Sequence, residues 1–313
     1  MLHLRLIVPA DLRRTVAEIL DDCVGVTHVV RLPDAAVRPP GDVVLCDVAR
    51  EGADELLGRL RASGLPEHGA IDVAQLQLAI SAAAREAERL APGESSDALV
   101  WEAVSETTHE ESAFSYTYLA FIVTATMLAA CGVVLDSAVL IVGAMVVGPE
   151  FGPLAGICVA LVQRRPRLAL RSLVALLGGF VVAIALTILF SLMMDGLGLF
   201  TVADFDGSRP NTAFIWQPDA LSFVVAFLAG VAGLLSLTSA KSGALVGVAI
   251  SVTTVPAAAN AAVALAYAQV AQARGSAVQL LINLSGIVVA GVLTLVVQRA
   301  AWRLIRRRHA AAG

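Results

Sequence analysis

Residues 137–162 read SAVLIVGAMVVGPEFGPLAGICVALV, an apolar stretch with a hexapeptide, Gly148, Pro149, Glu150, Phe151, Gly152 and Pro153, at its centre. Proline lacks the N–H that a helix ladder needs and its ring clashes with the carbonyl four residues back, while glycine adds backbone freedom. The stretch therefore predicts two half-helices joined by a kink or a short extended link. At about 1.5 Å per residue, Glu150 lies roughly 18 Å from Ala138, near the middle of a ~30 Å hydrocarbon core. Irregular backbone and an ionisable side chain persist at that depth when buried in protein or lining a watery cavity, so the hexapeptide is read as a functional site.

The whole chain shares this character. Of its 313 residues 58% are hydrophobic and 15% charged, and the mean hydropathy is +0.79, the profile of an α-helical polytopic membrane protein. Residues 1–112 carry 10 Arg against 20 Asp plus Glu, and residues 113–313 carry 12 Lys plus Arg against 6 acids, giving −10 and +6, which sum to the overall −4. The first third is thus an acidic, water-soluble module, and its charge excludes nucleic acid as a main partner. MLHLRLIVPADLRR lacks the apolar core of a secretory signal, which places the module in the cytoplasm. Cys23, Cys46, Cys131 and Cys158 show no ligand spacing and read as small buried hydrophobes.

Within that module, Leu2, Leu4, Leu6 and Val8 alternate with His3 and Arg5, the signature of a half-buried strand. Asp11 is placed to cap a helix reaching Asp22. Strands follow over Thr27–Leu32 and Asp42–Val48, separated by the turn-rich PDAAVRPPG, then a helix over Gly52–Arg61 and a strand around Ile71–Leu78. The order βαββαβ predicts an α+β ferredoxin-like domain over residues 1–80. Residues 81–112 form a helical linker, and 113–313 a membrane domain.

Six spans are expected: Tyr116–Leu135, Ala138–Val162, Ser172–Met194, Ala220–Leu237, Gly243–Tyr267 and Val278–Gln298. Arg164, Arg165, Arg167 and Arg171 follow the second span, and Arg299, Arg303, Arg306, Arg307 and Arg308 follow the sixth. With Lys241 they fall inside, so both termini are cytoplasmic in a plasma-membrane protein, and Arg209 and Arg274 face out.

Adding 104 to the first three span starts, 116, 138 and 172, gives 220, 242 and 276, within about two residues of the last three. The second break, at Thr253, Thr254 and Pro256, answers the first. A unit of three crossings must run oppositely to its copy, so the pattern is a 3+3 inverted repeat, 114–194 and 218–298, with broken second and fifth helices. Paired broken helices point to a binding site near the bilayer midplane.

GAMVVGPEFGP from Gly143 and GVAISVTTVP from Gly247, behind a soluble domain and with an Arg-bearing loop between them, resemble the membrane proteins grouped as domain of unknown function 389. The resemblance covers most of residues 70–300. It implies the membrane fold and carries no established activity, and Glu150 stands where the family usually has an apolar residue.

The candidate substrate- or ion-binding residues are Gly148, Pro149, Glu150, Gly152, Pro153, Thr253, Thr254, Pro256 and Asn260. Glu150 reads either as a proton- or cation-binding carboxylate or as a structural acceptor for N–H groups freed at the break. Thr253 and Thr254 read as ligands or as hydroxyls bonded back to their own helix, and Asn260 and Asn283 as pathway residues or polar glue between helices. Asp136 reads as a solvated turn residue, Trp216 and Tyr118 as interfacial anchors, Gly178, Gly179, Gly230 and Gly233 as close-packing positions, and the five histidines as surface residues. No hydrolase, metalloprotease or nucleotide-binding motif is present, so neither an enzyme nor a cofactor is expected. The leading expectation is a transporter- or channel-like homo-oligomer in the lipid bilayer, with a cytoplasmic regulatory domain and a small ion or metabolite as substrate. The alternative is a non-transporting receptor or scaffold.

Overall fold

The computed structural model describes residues 1–76, 78–91, 100–239 and 253–312. It divides into two compact units, one built mainly from residues 1–104 and one from 105–237 and 241–297.

In the first unit β1 (Leu2–Val8), β2 (Val26–Val37), β3 (Pro40–Val48) and β4 (Ala70–Gln75) form an antiparallel sheet in the order β2-β3-β1-β4. The period-2 pattern of β1 buries Leu2, Leu4, Leu6 and Val8 on one face. Helices α1 (Arg13–Asp22) and α2 (Arg50–Ala62) cover that face with Val16, Ile19, Leu20, Ala53, Leu56, Leu57 and Leu60 at helical spacing. A short α3 (Leu65–His68) precedes β4, and α4 (Ala82–Leu90) begins at Ser81, whose hydroxyl accepts from the Ala84 N–H.

Three local expectations are corrected here. Asp11 does not cap α1: a 3-10 turn closed by Leu12 N–H on the Pro9 carbonyl takes Asp11 inside it, and Leu12 becomes the capping position. β2 does not stop at Leu32 but runs through Pro33 to Val37. It is an edge strand whose register shifts between Leu32 and Ala36, so Pro33 owes no hydrogen bond to the ladder. β4 ends at Gln75, short of Leu78.

The second unit is helical: α5 (Trp101–Glu111), α6 (Tyr116–Val134), α7 (Ala138–Val147), α8 (Phe151–Gln163), α9 (Pro166–Gly196), α10 (Val202–Asp206), α11 (Ala220–Thr238), α12 (Thr254–Ala266) and α13 (Val270–Ala312), of which α5, α11 and α13 extend beyond its bounds. Serines set two of the starts, Ser115 accepting from the Tyr118 N–H and Ser137 from the Leu140 N–H. Helices α6, α9, α11 and α13 are each long and apolar enough to cross a membrane, and α7 with α8 makes a fifth candidate if the bent pair counts as one span. Of the expected fifth span, Gly243–Tyr267, residues 243–252 lie outside the described residues, as does Lys241, and the remainder is the 13-residue α12. Val139, Leu161, Val181, Leu189, Leu221, Leu281 and Val297 are exposed on these helices, and aliphatic outer faces of this extent fit a lipid solvent. This is a membrane protein.

Helix starts recur along the chain. α6 begins at 116 and α11 at 220, α9 at 166 and α13 at 270, so both pairs are separated by 104 residues. α8 and α12, starting at 151 and 254, are separated by 103.

Candidate functional site

The hexapeptide breaks its span as expected. α7 ends at Gly148, which is extended at φ −65° and ψ 127°; Glu150 takes the N-cap position of α8, and the two helices meet at 53°. Pro153 is the third residue of α8 and Pro256 the third of α12. Both fall in a first turn, where the missing N–H costs no helical bond.

The two breaks touch. The Thr254 hydroxyl donates to Glu150 Oε1 at 2.6 Å, and both residues are buried. Among the described residues Glu150 Oε2 is enclosed and has no partner. The carboxylate makes no capping bond into α8, so it is not the acceptor of its own helix's amides. Gly148 is required by this arrangement, because a Cβ there would collide with Glu150 Oε2 and lie 2.8 Å from Val255 Cγ2. Thr253, at the N-cap of α12, accepts from Asn283 Nδ2 at 2.9 Å, and Gln279 Nε2 reaches Asn283 Oδ1 at 3.4 Å. The Thr254 hydroxyl thus donates to Glu150 rather than to the preceding turn, the turn before Thr253 lies outside the described residues, and Asn283 ties α13 to the break.

Gly148, Pro149, Glu150, Gly152, Pro153, Thr253, Thr254 and Pro256 therefore gather around one junction. Asn260 does not join them. It lies six residues along α12, about 9 Å from Thr254, and donates to Ser276 Oγ at 2.7 Å while its Oδ1 accepts from Arg209 at 3.2 Å.

Several side chains hold places that the sequence did not assign them. Arg209, read from the sequence only for its side of the membrane, is a buried side chain: it also donates to Gln272 Oε1 at 2.5 Å and lies 4.1 Å from the centre of the Phe205 ring. Burial lowers its pKa, against the opposing influence of Asp136 and Asp206. Asp136 is not merely solvated, for it accepts from the Thr212 hydroxyl at 2.8 Å and from Asn211 Nδ2 at 2.9 Å. Tyr118 is no interfacial anchor. It is buried on α6, packed against Gly179 of α9, with its hydroxyl unpartnered among the described residues. Gly179 and Gly230 do serve close packing, the latter against Ile287 and Ala290. In the sheet unit His3 and His28 each hold Asp47 at 2.7 Å, a pairing that their wide spacing in sequence concealed.

Glu111 is the site residue that sequence reasoning missed. A Cβ on Gly152 would stand 2.6 Å from Glu111 Cβ and 3.0 Å from its Oε2, so each of the two glycines of the break leaves room for a carboxylate. Crowding by its surroundings, then the charge of Glu110, raises the Glu111 pKa. With Glu110, Tyr118, Phe121, Pro149 and Phe151 it lines a cavity of about 450 Å³ that ends on Gly148 and Gly152. Its position at the end of a polar helix gave no sign in the sequence of this approach. Among the described residues no three metal-ligating side chains gather.

A junction of this kind, lying in the stretch whose motifs carry the family resemblance, can be set against known proteins. Residues 145–289 match the family described as Domain of unknown function (DUF389). The resemblance read from GAMVVGPEFGP and GVAISVTTVP is thereby shown. The chain is also 24% identical over 166 residues to Uncharacterized protein MJ0678 of Methanocaldococcus jannaschii, an alignment covering 53% of this chain and 49% of that protein. The chain thus spans about half the length of this curated relative. No solved structure matches it.

Proposed function

We propose that this DUF389 protein is a transporter- or channel-like membrane protein whose ion or small metabolite passes the Glu150–Thr254 junction between two inverted three-span repeats. One observation carries the reading. Glu150 and Thr254 are separated by 254 − 150 = 104 residues, the same offset that relates the starts of α6 to α11 and of α9 to α13, and they touch. Residues related by a two-fold axis meet their own counterparts only beside that axis, so the contact marks where two copies would join. A second pair repeats the pattern: Gly156 of α8 packs against Ser172 of α9, and 104 residues on Asn260 of α12 bonds Ser276 of α13. Broken helices meeting at a repeat interface are the arrangement in which transporters place substrate.

On this reading the protein has six spans, is not an enzyme, and lies in the plasma membrane with both termini cytoplasmic. Its first unit, with strand order β2-β3-β1-β4 and helices on one face, is a ferredoxin-like regulatory domain. The opposite face leaves Val30 and Leu32 exposed, a surface for association into a homo-oligomer. The test is flux in proteoliposomes across a panel of ions and small metabolites. Wild-type protein is expected to move at least one of them and Gly148→Val, which fills the junction, to move none. Absence of flux in the wild type across the panel would overturn transport in favour of a receptor or scaffold.

A further inference from the structure

We infer that the Glu150–Thr254 junction is an anion-binding site whose resident occupant is the Glu150 carboxylate, and that a small inorganic or carboxylate anion takes its place when Glu150 accepts a proton. The inference rests on the transporter reading and names the substrate class of that site.

The argument begins with what the backbone offers at the junction. α8 and α12 are each 13 residues long and both start there, Glu150 at the N-cap of one and Thr254 as the first residue of the other. The opening turns of two helices therefore face one point, and their first N–H groups lack helical acceptors. Each N-terminus carries roughly half a positive charge, so two together balance about one carboxylate. N–H groups and a threonine hydroxyl solvate an anion, whereas a dehydrated metal cation needs oxygen ligands. The junction thus offers an anion two helix starts and the Thr254 hydroxyl, of which the Glu150 carboxylate engages only the hydroxyl among the described residues.

Its hold is incomplete. Only Oε1 has a partner among the described residues, the Thr254 hydroxyl, while Oε2 is enclosed without one in a residue 7% exposed. The titratable groups nearest the junction are Tyr118 on α6 and, across Gly152, Glu111 on α5; no ion pair reaches Glu150 among the described residues. The cavity lined by Glu111, Glu110 and Tyr118 reaches the glycines beside it and gives protons a route. A proton arriving at Oε2 makes Glu150 neutral and leaves the two N-termini uncompensated. An anion then binds there, and release on the other side returns the proton and restores the carboxylate, so one proton and one negative charge cross together.

The full-length protein in proteoliposomes containing a pH-sensitive dye tests this with chloride, nitrate, sulfate and oxalate gradients, and with sodium, potassium and tetramethylammonium gradients as gluconate salts. An inward gradient of at least one of the four anions is expected to draw protons inward. In Glu150→Gln, whose amide is permanently neutral, proton uptake should fall about ten-fold or more while anion flux continues. Flux driven by the cations and abolished in Glu150→Gln would overturn the anion assignment while leaving transport standing; absence of all flux would overturn transport itself. Calorimetry in detergent with the same four salts separates the site from the transport. Glu150→Gln should bind one of these anions more tightly than wild type at neutral pH, and lack of binding by both overturns the site. Thr254→Val, which removes a donor from the site, is the second variant should Glu150→Gln fail to fold, and it is expected to bind, several-fold more weakly, any anion that wild type binds; unchanged binding would overturn the site.

Discussion

Asp42 of the sheet unit and Glu150 of the helical unit are both buried carboxylates, held in opposite ways. Asp42 is 0% exposed and fully engaged: Arg13 stands 2.8 Å and Arg31 2.6 Å away, and the Asp34 N–H, freed by the register shift in β2, donates at 3.0 Å. Among the described residues Glu150 has one hydroxyl donor, no ion pair and an unpartnered oxygen. A carboxylate with both oxygens engaged is a fixed part of its fold, whereas one left half satisfied at the meeting of two helix ends is free to exchange its partner.

The largest effect should come from destroying the satisfied group. Asp42→Ala leaves the partly exposed Arg31 side chain and the Asp34 N–H without their acceptor and Arg13 with only its Asp34 partner, and is expected to destabilise the first unit by about 3 kcal/mol. Glu150→Gln, keeping the shape, should cost the second unit less than about 1 kcal/mol. Hydrogen exchange of β2 and β3 against α8 in the full chain reads both changes. Equal losses would erase the distinction between the two carboxylates.

Acid should reveal the same difference. The Asp34 N–H, followed by Arg31 and Arg13, lowers the Asp42 pKa against the opposing effect of burial. A lowered folded-state pKa gives stability that is present above the unfolded value, about 3.9, and lost as pH falls through the lower folded value. Exchange protection of β2 and β3 should therefore persist through pH 4 in wild type and begin to fall only below it, and Asp42→Asn should remove that part of the acid dependence. An unchanged acid limb in Asp42→Asn would assign it to other carboxylates.

How far each carboxylate could be read from the sequence follows from the same contrast. Glu150 was legible because an acid between two prolines in an apolar stretch violates a strong composition rule. Asp42 was not, since it stands at the start of a strand where a polar residue is ordinary, and its partners come from α1 and from a bulge that the pattern of β2 does not display. The βαββαβ order was legible from period-2 and period-3.6 alternation, whereas the hairpin extension through Pro33 depended on β2 lying at the sheet edge. Likewise the offset of 104 could be read from span starts, but the contact it predicts, and the approach of Glu111, required helices to be packed.

Gly148→Ala sharpens the comparison by crowding one carboxylate alone. The backbone at φ −65° suits alanine, so any loss is steric, from the collision with Glu150 Oε2 and Val255. About 2 kcal/mol is expected, with the effect on flux exceeding the effect on folding. Melting of the full chain and flux measured on the same preparation check it. A neutral substitution would mean that the junction has room that the glycine does not provide.

The smallest effect is the most discriminating. Thr254→Val is nearly isosteric and removes the single donor to Glu150 Oε1, at an expected cost of about 1 kcal/mol. In a double-mutant cycle with Glu150→Gln the coupling should be close to that value, because few other partners compete for the carboxylate. The corresponding cycle between Asp42→Asn and Arg31→Gln should show weaker apparent coupling, since Arg13 and the Asp34 N–H remain to hold Asp42. A group in a network spreads its energy over several partners, and one in a lone pair concentrates it. Should the Thr254 cycle give no coupling, the hydroxyl would be an incidental neighbour, and the contact between positions 104 residues apart would lose its energetic meaning although its geometry remained.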